Sequence, residues 1–149
     1  MNKINFLFVT LFGIGKLKKI PGSYASLVTT IFLFFLFHVF NFSPNIVLIG
    51  VVIIFLISLY SVNIFIKDLD NKDPKEVVID EFIGQSIPIC LYEIAHEGTK
   101  ETNKVLMFYF TMFILFRIFD IVKPYPVSYY DKNFKNSFGV IMDDVCAGL

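Results

Sequence analysis

The sequence contains few of the residues that build zinc, redox and thiol-based catalytic sites. There is no tryptophan, and there are only two cysteines and two histidines among 149 residues. Cys90 and Cys146 are too far apart for a zinc or redox motif, and His38 and His96 add too few ligands for a zinc centre. Neither cysteine lies in a phosphate-binding loop that ends in arginine, which argues against a cysteine-dependent phosphatase.

Charge is scarce as well. Charged residues make up 17% of the chain and hydrophobic residues 56%, and the formal net charge is zero. A soluble domain of this length usually carries more charge on its surface, and a neutral chain gives no reason to expect nucleic-acid binding. The composition therefore predicts a single membrane domain over residues 1–149.

Four apolar stretches predict an all-α, polytopic membrane bundle. They cover residues 25–40, 46–66, 82–94 and 105–116. The second is long enough to cross a hydrocarbon core of about 30 Å at about 1.5 Å per residue. The third and fourth are short for full spans and could also form a helical hairpin that enters part way. Residues 5–14 lead into a basic segment and not a cleavage site, which predicts an N-terminal interfacial helix.

The lysines and arginines are unevenly divided between the loops. Eleven of the thirteen lie before the first apolar stretch, between residues 67 and 81, or from Arg117 onward, and only Lys100 and Lys104 lie on the other side. Since positive residues favour the cytoplasmic side, three polar segments that are distant in sequence are predicted to share the cytoplasmic face.

The candidate catalytic residues are acids on that predicted face. They are Asp80 and Glu81 at the start of the third helix, Asp120 at the end of the fourth, and Asp143 and Asp144 near the C-terminus. Clustered oxygen ligands with few imidazoles or thiolates suit a hard cation such as Mg²⁺, which commonly shares its coordination sphere with phosphate. Each acid taken alone is also explained as a helix cap or a solvated charge.

Basic residues accompany these acids. Arg117, Asp120 and Lys123 have i, i+3, i+6 spacing and form one stripe if the helix continues as far as Pro124, which should end it. The same spacing fits an ordinary row of interfacial ion pairs. The glycine-containing segment 13–23 predicts a basic loop whose amides could hold a phosphate, although it lacks Walker A spacing and also fits a simple membrane-surface loop.

Three blocks together resemble the phosphatidylglycerophosphatase A family of bacterial, Mg²⁺-dependent lipid phosphatases. They are GIGKLKKIPGSYASL at 13–27, VVIDEFIGQ at 77–85, and FRIFDIVKPYPVSYYDKNFKNSFGVIMDDVCAG at 116–148. Ser23 stands where relatives usually carry threonine, and Ala25 where they carry glycine. Relatives continue beyond Gly148 with another apolar helix, so the domain is expected to lack a final C-terminal helix.

The resemblance implies hydrolysis of the terminal phosphate of phosphatidylglycerophosphate, giving phosphatidylglycerol and phosphate, at the cytoplasmic face of the bacterial inner membrane. It implies a metal-binding and catalytic set and a substrate-binding set. The first is Asp80, Glu81, Asp120, Asp143 and Asp144, and the second is Lys16, Ser23, Arg117 and Lys123. Which acid acts as base, and whether an aspartyl intermediate forms, stays open.

Two other functions fit part of the pattern. One is a lipid head-group phosphotransferase that uses the same metal chemistry, although its usual D-G-x-x-A-R motif is absent. The other is a non-enzymatic membrane subunit or ion-pathway protein, which would be favoured by charges inside the spans. Phospholipid is the one partner that the sequence indicates, and no protein partner follows from it.

Overall fold

The computed structural model describes residues 2–67, 69, 71, 74–96 and 102–149. Helices are the only regular secondary structure in this part of the chain, which confirms the predicted all-α fold class. Lys72 and Lys100, two of the lysines on which the predicted orientation rests, lie outside the described residues. The helices are α1 (Lys3–Val9), α2 (Pro21–His38), α3 (Pro44–Ile66), α4 (Ile79–Ala95), α5 (Thr102–Val122), α6 (Val127–Asn133) and α7 (Ser137–Gly148), with a 3₁₀ turn at Ile14–Lys16.

Three of the described helices are long and apolar enough to cross a membrane: α2, α3 and the segment Asn103–Val122 of α5. The fourth apolar stretch is longer than the sequence indicated, because the helix continues through Arg117 and Asp120 to Val122. Helix α4 has 17 residues and is not one of the three. The third apolar stretch therefore remains shorter than a full span.

The N-terminal helix is shorter than predicted. It ends at Val9, where residues 5–14 were expected to continue it. The Thr10 hydroxyl donates to the Phe6 carbonyl at 2.8 Å and accepts from the Gly13 amide at 3.1 Å, which closes a turn. Gly13 has a φ of 98°, a left-handed conformation that glycine adopts readily. The turn leaves α1 beside α3, where the Asn5 side-chain amide donates to the Ser61 carbonyl at 3.1 Å.

Helix α4 lies at the centre of the bundle, against α2, α3 and α7. Gly84 lies where α7 approaches α4 closely. A Cβ at Gly84 would lie 2.6 Å from the Asp144 carbonyl oxygen and 2.7 Å from the Phe116 ring, closer than real contacts allow. The missing side chain therefore lets α7 bring Asp144 beside the acidic first turn of α4.

A polar contact joins three helices at the opposite end of the bundle. His38 Nε2, at the end of α2, lies 3.2 Å from Glu93 Oε1 in α4, and the Tyr109 hydroxyl of α5 donates to the same oxygen at 3.0 Å. Glu93 is 4% exposed and Tyr109 is 2% exposed. His38 thus packs between helices and does not line the cavity that holds the five candidate acids.

We expect His38→Ala to lower the stability of the protein without a matching loss of activity. A polar contact between helices in a membrane protein is worth about 1 kcal/mol, and Glu93 is about 20 Å from Asp80 along α4 at 1.5 Å per residue. Thermal unfolding in detergent measures the effect, with His38→Gln as the control because glutamine keeps a donor. Equal melting of wild type and His38→Ala would show that the contact contributes nothing.

Two apolar grooves flank α2. The larger, here called the apolar groove, has a volume of about 510 Å³. It is lined by Phe8, Leu11, Phe12, Ile14, Val28, Thr29, Phe32, Ile54, Ile79 and Phe82. The small groove, on the other side of α2, has a volume of about 200 Å³. It is lined by Leu27, Thr30, Ile31, Phe34, Leu106, Tyr109, Phe110 and Phe113.

Candidate active site

Four separate segments of the chain meet around one polar cavity of about 460 Å³. It is lined by Lys18, Ile20, Pro21, Gly22, Ser23, Pro74, Lys75, Val77, Asp80, Glu81, Arg117, Asp120, Ile121, Lys123, Val140, Asp143 and Asp144. The five acids that the sequence singled out all lie in this set. The cavity therefore brings together side chains that are more than 120 residues apart in sequence.

Three of these acids form the acid cluster, defined as Asp80, Glu81 and Asp144. One carboxylate oxygen of each lies within 4.8 Å of the others. Asp80 and Glu81 occupy the first turn of α4, where acids favour the helix dipole, and Asp80 Oδ1 accepts the Glu81 amide at 3.0 Å. Asp144 reaches them from the middle of α7 and not from a helix cap. Asp80 and Asp144 are 6% and 4% exposed.

The other two acids are held by basic side chains. Arg117 Nη1 lies 2.9 Å from Asp120 Oδ2 on α5, which is the i, i+3 pair that the spacing predicted. Lys123 does not continue that stripe, because α5 ends at Val122 and Lys123 has a φ of 48°. Its Nζ instead donates to Asp143 Oδ2 at 2.7 Å and to Asp131 Oδ1 at 2.6 Å. The left-handed backbone of Lys123, directly before Pro124, thus turns its side chain towards α6 and α7.

The electrostatic surroundings differ sharply between these groups. Burial raises the pKa of Asp144 well above its usual range, and the negative charges of Asp120, Glu81 and Asp143 raise it further. Partial burial lowers the pKa of Lys123, but its hydrogen bonds to Asp131 and Asp143 outweigh this and raise it overall. The hydrogen bond from Lys123 lowers the pKa of Asp131. Lys123 therefore stays cationic, whereas an ionised Asp144 requires a nearby positive charge.

The donor set fits a divalent metal ion. In the described part of the chain, Arg117 and Lys123 pair with Asp120 and Asp143, and no ion pair joins a basic side chain to the acid cluster. Glu81 Oε2 is buried without a hydrogen-bond partner. Burial raises the pKa of Glu81, and the Arg117 charge acts to lower it. Burial and neighbouring acids hold the pKa values of Asp80 and Asp144 well above their usual range. Buried carboxylates without sufficient counter-charge are costly, and a hard cation bound by oxygen ligands removes that cost. The acid cluster can therefore bind a metal ion.

Helix α2 begins beside the acid cluster. The basic loop expected over residues 13–23 ends at Ile20, because Pro21 starts the helix and places Gly22 and Ser23 in its first turn. Amides of a first turn have no partner within the helix and favour anions. Arg117 Nη1 donates to Ser26 Oγ at 3.3 Å, and Arg117 Nε is buried without a partner. This corner of the cavity offers donors to an oxyanion.

The chain matches one known protein family over almost its whole length. The sequence model of the family described as Phosphatidylglycerophosphatase A matches residues 7–149. The chain belongs to the phosphatidylglycerophosphatase A family. As a member of that family it is an enzyme, a lipid phosphatase, and its apolar helices make it a membrane protein.

Relatives with assigned names agree with this membership. The Phosphatidylglycerophosphatase A of Haemophilus influenzae is 32% identical over 149 residues, which is 100% of this chain and 84% of that protein. The protein of the same name from Escherichia coli K12 is 29% identical over 139 residues, or 93% of this chain and 73% of that protein. A Putative phosphatidylinositol-3-phosphatase of Bacteroides thetaiotaomicron is 40% identical over 79 residues, or 53% of this chain and 45% of that protein. No solved structure matches.

The substrate-binding residues predicted for this phosphatidylglycerophosphatase A family member do not all line the cavity. Ser23, Arg117 and Lys123 line it, but Lys16 does not, and its Nζ lies 4.6 Å from the centre of the Phe6 ring. Lys18 and Lys75 line the cavity in its place. The basic run at residues 16–19 pointed to this region, but only the turn before α2 decides which lysine faces inward. Substrate binding by Lys16 stays a prediction.

Proposed function

We propose that the protein hydrolyses the terminal phosphate of phosphatidylglycerophosphate in a Mg²⁺-dependent reaction that yields phosphatidylglycerol and inorganic phosphate. The observation that carries this proposal is the acid cluster, with Asp80 and Asp144 buried and Glu81 partly buried, in one cavity with Arg117 and Lys123. The family of the chain and two of its relatives bear the name of that activity. Hard, charged oxygen ligands are the ones that Mg²⁺ prefers.

The proposed metal ligands are the three residues of the acid cluster, Asp80, Glu81 and Asp144. Asp120 and Asp143 lie in the same cavity and complete the predicted acidic set, although Arg117 and Lys123 already contact them. A bound Mg²⁺ would offset charge on the phosphate oxygens and polarise the phosphoryl group. Because five acids line the cavity against four basic residues, a divalent cation would also turn its formal charge positive.

The remaining residues are proposed to bind and orient the phosphate. Arg117, Lys123 and Lys18 offer positive charge at the cavity wall, and Ser23 offers a hydroxyl and an amide at the start of α2. Water then attacks phosphorus as the bond to the glycerol oxygen breaks. One cavity carboxylate accepts a proton from the water, and a protonated carboxyl of the same cavity gives one proton to the leaving glycerol oxygen, so that no net proton is gained or lost by the protein.

The cytoplasmic face of the bacterial inner membrane is the proposed location of the cavity. Its lining includes Lys18, Lys75, Arg117 and Lys123, all of which belong to the three positively charged segments of the sequence. An excess of lysine and arginine marks the cytoplasmic side of membrane proteins. The bilayer holds the acyl chains while the head group enters the cavity.

The test is phosphate release by the purified protein in proteoliposomes. We expect release from phosphatidylglycerophosphate with Mg²⁺ and none after EDTA treatment, with recovery when Mg²⁺ is added back. Phosphatidylinositol 3-phosphate is the comparison substrate, because one relative bears the name of that activity. Preference for the inositol lipid would contradict the proposed substrate, and full activity in EDTA would contradict the proposed metal requirement. No release from either lipid would contradict the proposed reaction.

A further inference from the structure

Residues that line the apolar groove adjoin residues that line the polar cavity in both α2 and α4. In α4, Ile79 lines the groove and the next residue, Asp80, lines the cavity. In α2, Pro21 lines the cavity, while Val28 and Phe32 line the groove seven and eleven residues later on nearly the same helix face. At 1.5 Å per residue, these positions lie about 10 and 16 Å further from the polar end.

The lining of the groove admits an apolar occupant. The Thr29 hydroxyl is the one polar side-chain group among the lining residues, and it already donates to the Ala25 carbonyl at 2.8 Å. The groove volume of about 510 Å³ falls within the range of roughly 300–1,000 Å³ that is usual for small-molecule sites. Phe12 stands at its edge with 84% of its surface exposed. The lining side chains therefore leave no free hydrogen-bond donor for a ligand.

We propose that the apolar groove holds one acyl chain of the phospholipid whose phosphate occupies the polar cavity. This inference rests on the proposed function. The head group and the acyl chain of that lipid are covalently joined, so a phosphate beside Asp80 places its chains at the membrane-facing end of the cavity. The groove begins at that end, with Ile79 directly before Asp80 and Phe82 directly after Glu81.

The small groove is the poorer alternative. It also flanks α2, but it is less than half as large and none of its lining residues adjoins the acid cluster. The hydrogen bond from Arg117 Nη1 to Ser26 Oγ links α5 to α2 between that groove and the polar cavity. A chain in the small groove would have to pass this link, whereas the apolar groove lies on the other side of α2.

The groove is expected to position the lipid more than to attract it. An acyl chain in a bilayer is already out of water, so transfer into an apolar groove brings little hydrophobic gain. A fixed chain does restrict where the attached phosphate can lie, and misplacement of a reacting group is costly to the rate. The effect should therefore be found in the catalytic efficiency on diacyl substrate.

The experiment compares two tryptophan variants at neighbouring positions of α2. Val28 lines the apolar groove and is 44% exposed, and Leu27 lines the small groove and is 41% exposed. Each variant is assayed on phosphatidylglycerophosphate and on its deacylated, water-soluble head group. We expect Val28→Trp to lower the ratio of diacyl to deacylated kcat/KM at least tenfold, and Leu27→Trp to leave it within twofold of wild type.

If the ratio of diacyl to deacylated kcat/KM is equal for wild type, Val28→Trp and Leu27→Trp, the groove does not hold an acyl chain, and the proposed function stays intact. Failure of the wild type on phosphatidylglycerophosphate would overturn the function itself. If Val28→Trp does not fold, a substrate with a photoreactive group in one acyl chain tests the wild type. Labelling of Val28 and Phe82 above Ile31 and Phe110 supports the groove, and equal labelling of the two sets contradicts it.

Discussion

Asp144→Asn is expected to lower phosphate release by roughly a thousandfold or more and to raise the melting temperature of the metal-free protein. Loss of an outer partner of a metal ligand costs about 10–100-fold, and Asp144 is itself a proposed ligand. Asp144 is 4% exposed, and one of its carboxylate oxygens lies within 4.8 Å of one carboxylate oxygen each of Asp80 and Glu81. Asparagine keeps the shape of the side chain and removes its charge.

The opposite change in stability follows from the same geometry. Two like charges 4 Å apart repel by about 4 kcal/mol at an effective dielectric constant of 20. In the metal-free protein Asp144 either carries a charge against this repulsion or, because its pKa is raised, takes up a proton that it does not hold in the unfolded chain at neutral pH, and both cost free energy. Asparagine avoids this cost, and each kcal/mol gained raises the melting temperature of a chain of this size by about 2–4 °C. Thermal unfolding in detergent with EDTA measures this gain. Added Mg²⁺ should then stabilise the wild type more than the variant.

Glu76→Gln is the matched control, since it also replaces one carboxylate by an amide but the Glu76 side chain is exposed and does not line the polar cavity. We expect Glu76→Gln to change neither the rate of phosphate release nor the melting temperature measurably. Loss of both activity and stability in Asp144→Asn would contradict the proposal, because it would show that the carboxylate serves the fold. Retained activity would remove Asp144 from the reaction.

The parts of the site that the sequence predicted are set by local rules. Asp80 and Glu81 start a helix where the polar loop meets an apolar stretch, and their position follows from the helix dipole and the hydropathy pattern. The Arg117–Asp120 pair follows from i, i+3 spacing on a regular helix. The sequence also predicted that the three polar segments share one face, because lysine and arginine are unevenly distributed among the loops.

The parts that the sequence did not predict depend on non-local contacts or on irregular backbone. Lys123 does not lie on the α5 stripe, because its own backbone is left-handed. Its position before Pro124 did not predict that conformation. Lys18 replaces Lys16 at the cavity because the turn before α2 fixes which side chain faces inward. Asp144 reaches the acid cluster because Gly84 permits close packing of α7 against α4, and spacing alone gave no distance between them.

Gly22→Ala is expected to reduce phosphate release by roughly a hundredfold although it changes no charge. A Cβ at Gly22 would overlap Glu81 Oε1 and would lie 3.4 Å from Arg117 Nη1. The added methyl group must therefore displace the Glu81 carboxylate, a proposed metal ligand, or shift α2 away from α4. A displacement of about 1 Å in a catalytic group can cost about a hundredfold in rate, and overpacking typically costs 1–3 kcal/mol of stability. Initial rates at saturating Mg²⁺ and thermal unfolding measure the two effects.

Gly50→Ala makes the same change in α3. It distinguishes the steric effect of the added methyl group at Gly22 from the general effect of alanine on helix stability. A Cβ at Gly50 in α3 would meet nothing within 4 Å, and alanine in a helix interior is favoured over glycine by about 0.5–1 kcal/mol. Gly50→Ala should therefore keep full activity and melt at the same or a higher temperature. If Gly22→Ala behaves like Gly50→Ala, the Glu81 carboxylate can move without loss, and its role as a metal ligand would fail. A loss confined to Gly22→Ala would mean that the distance between α2 and the acidic turn of α4 limits the reaction.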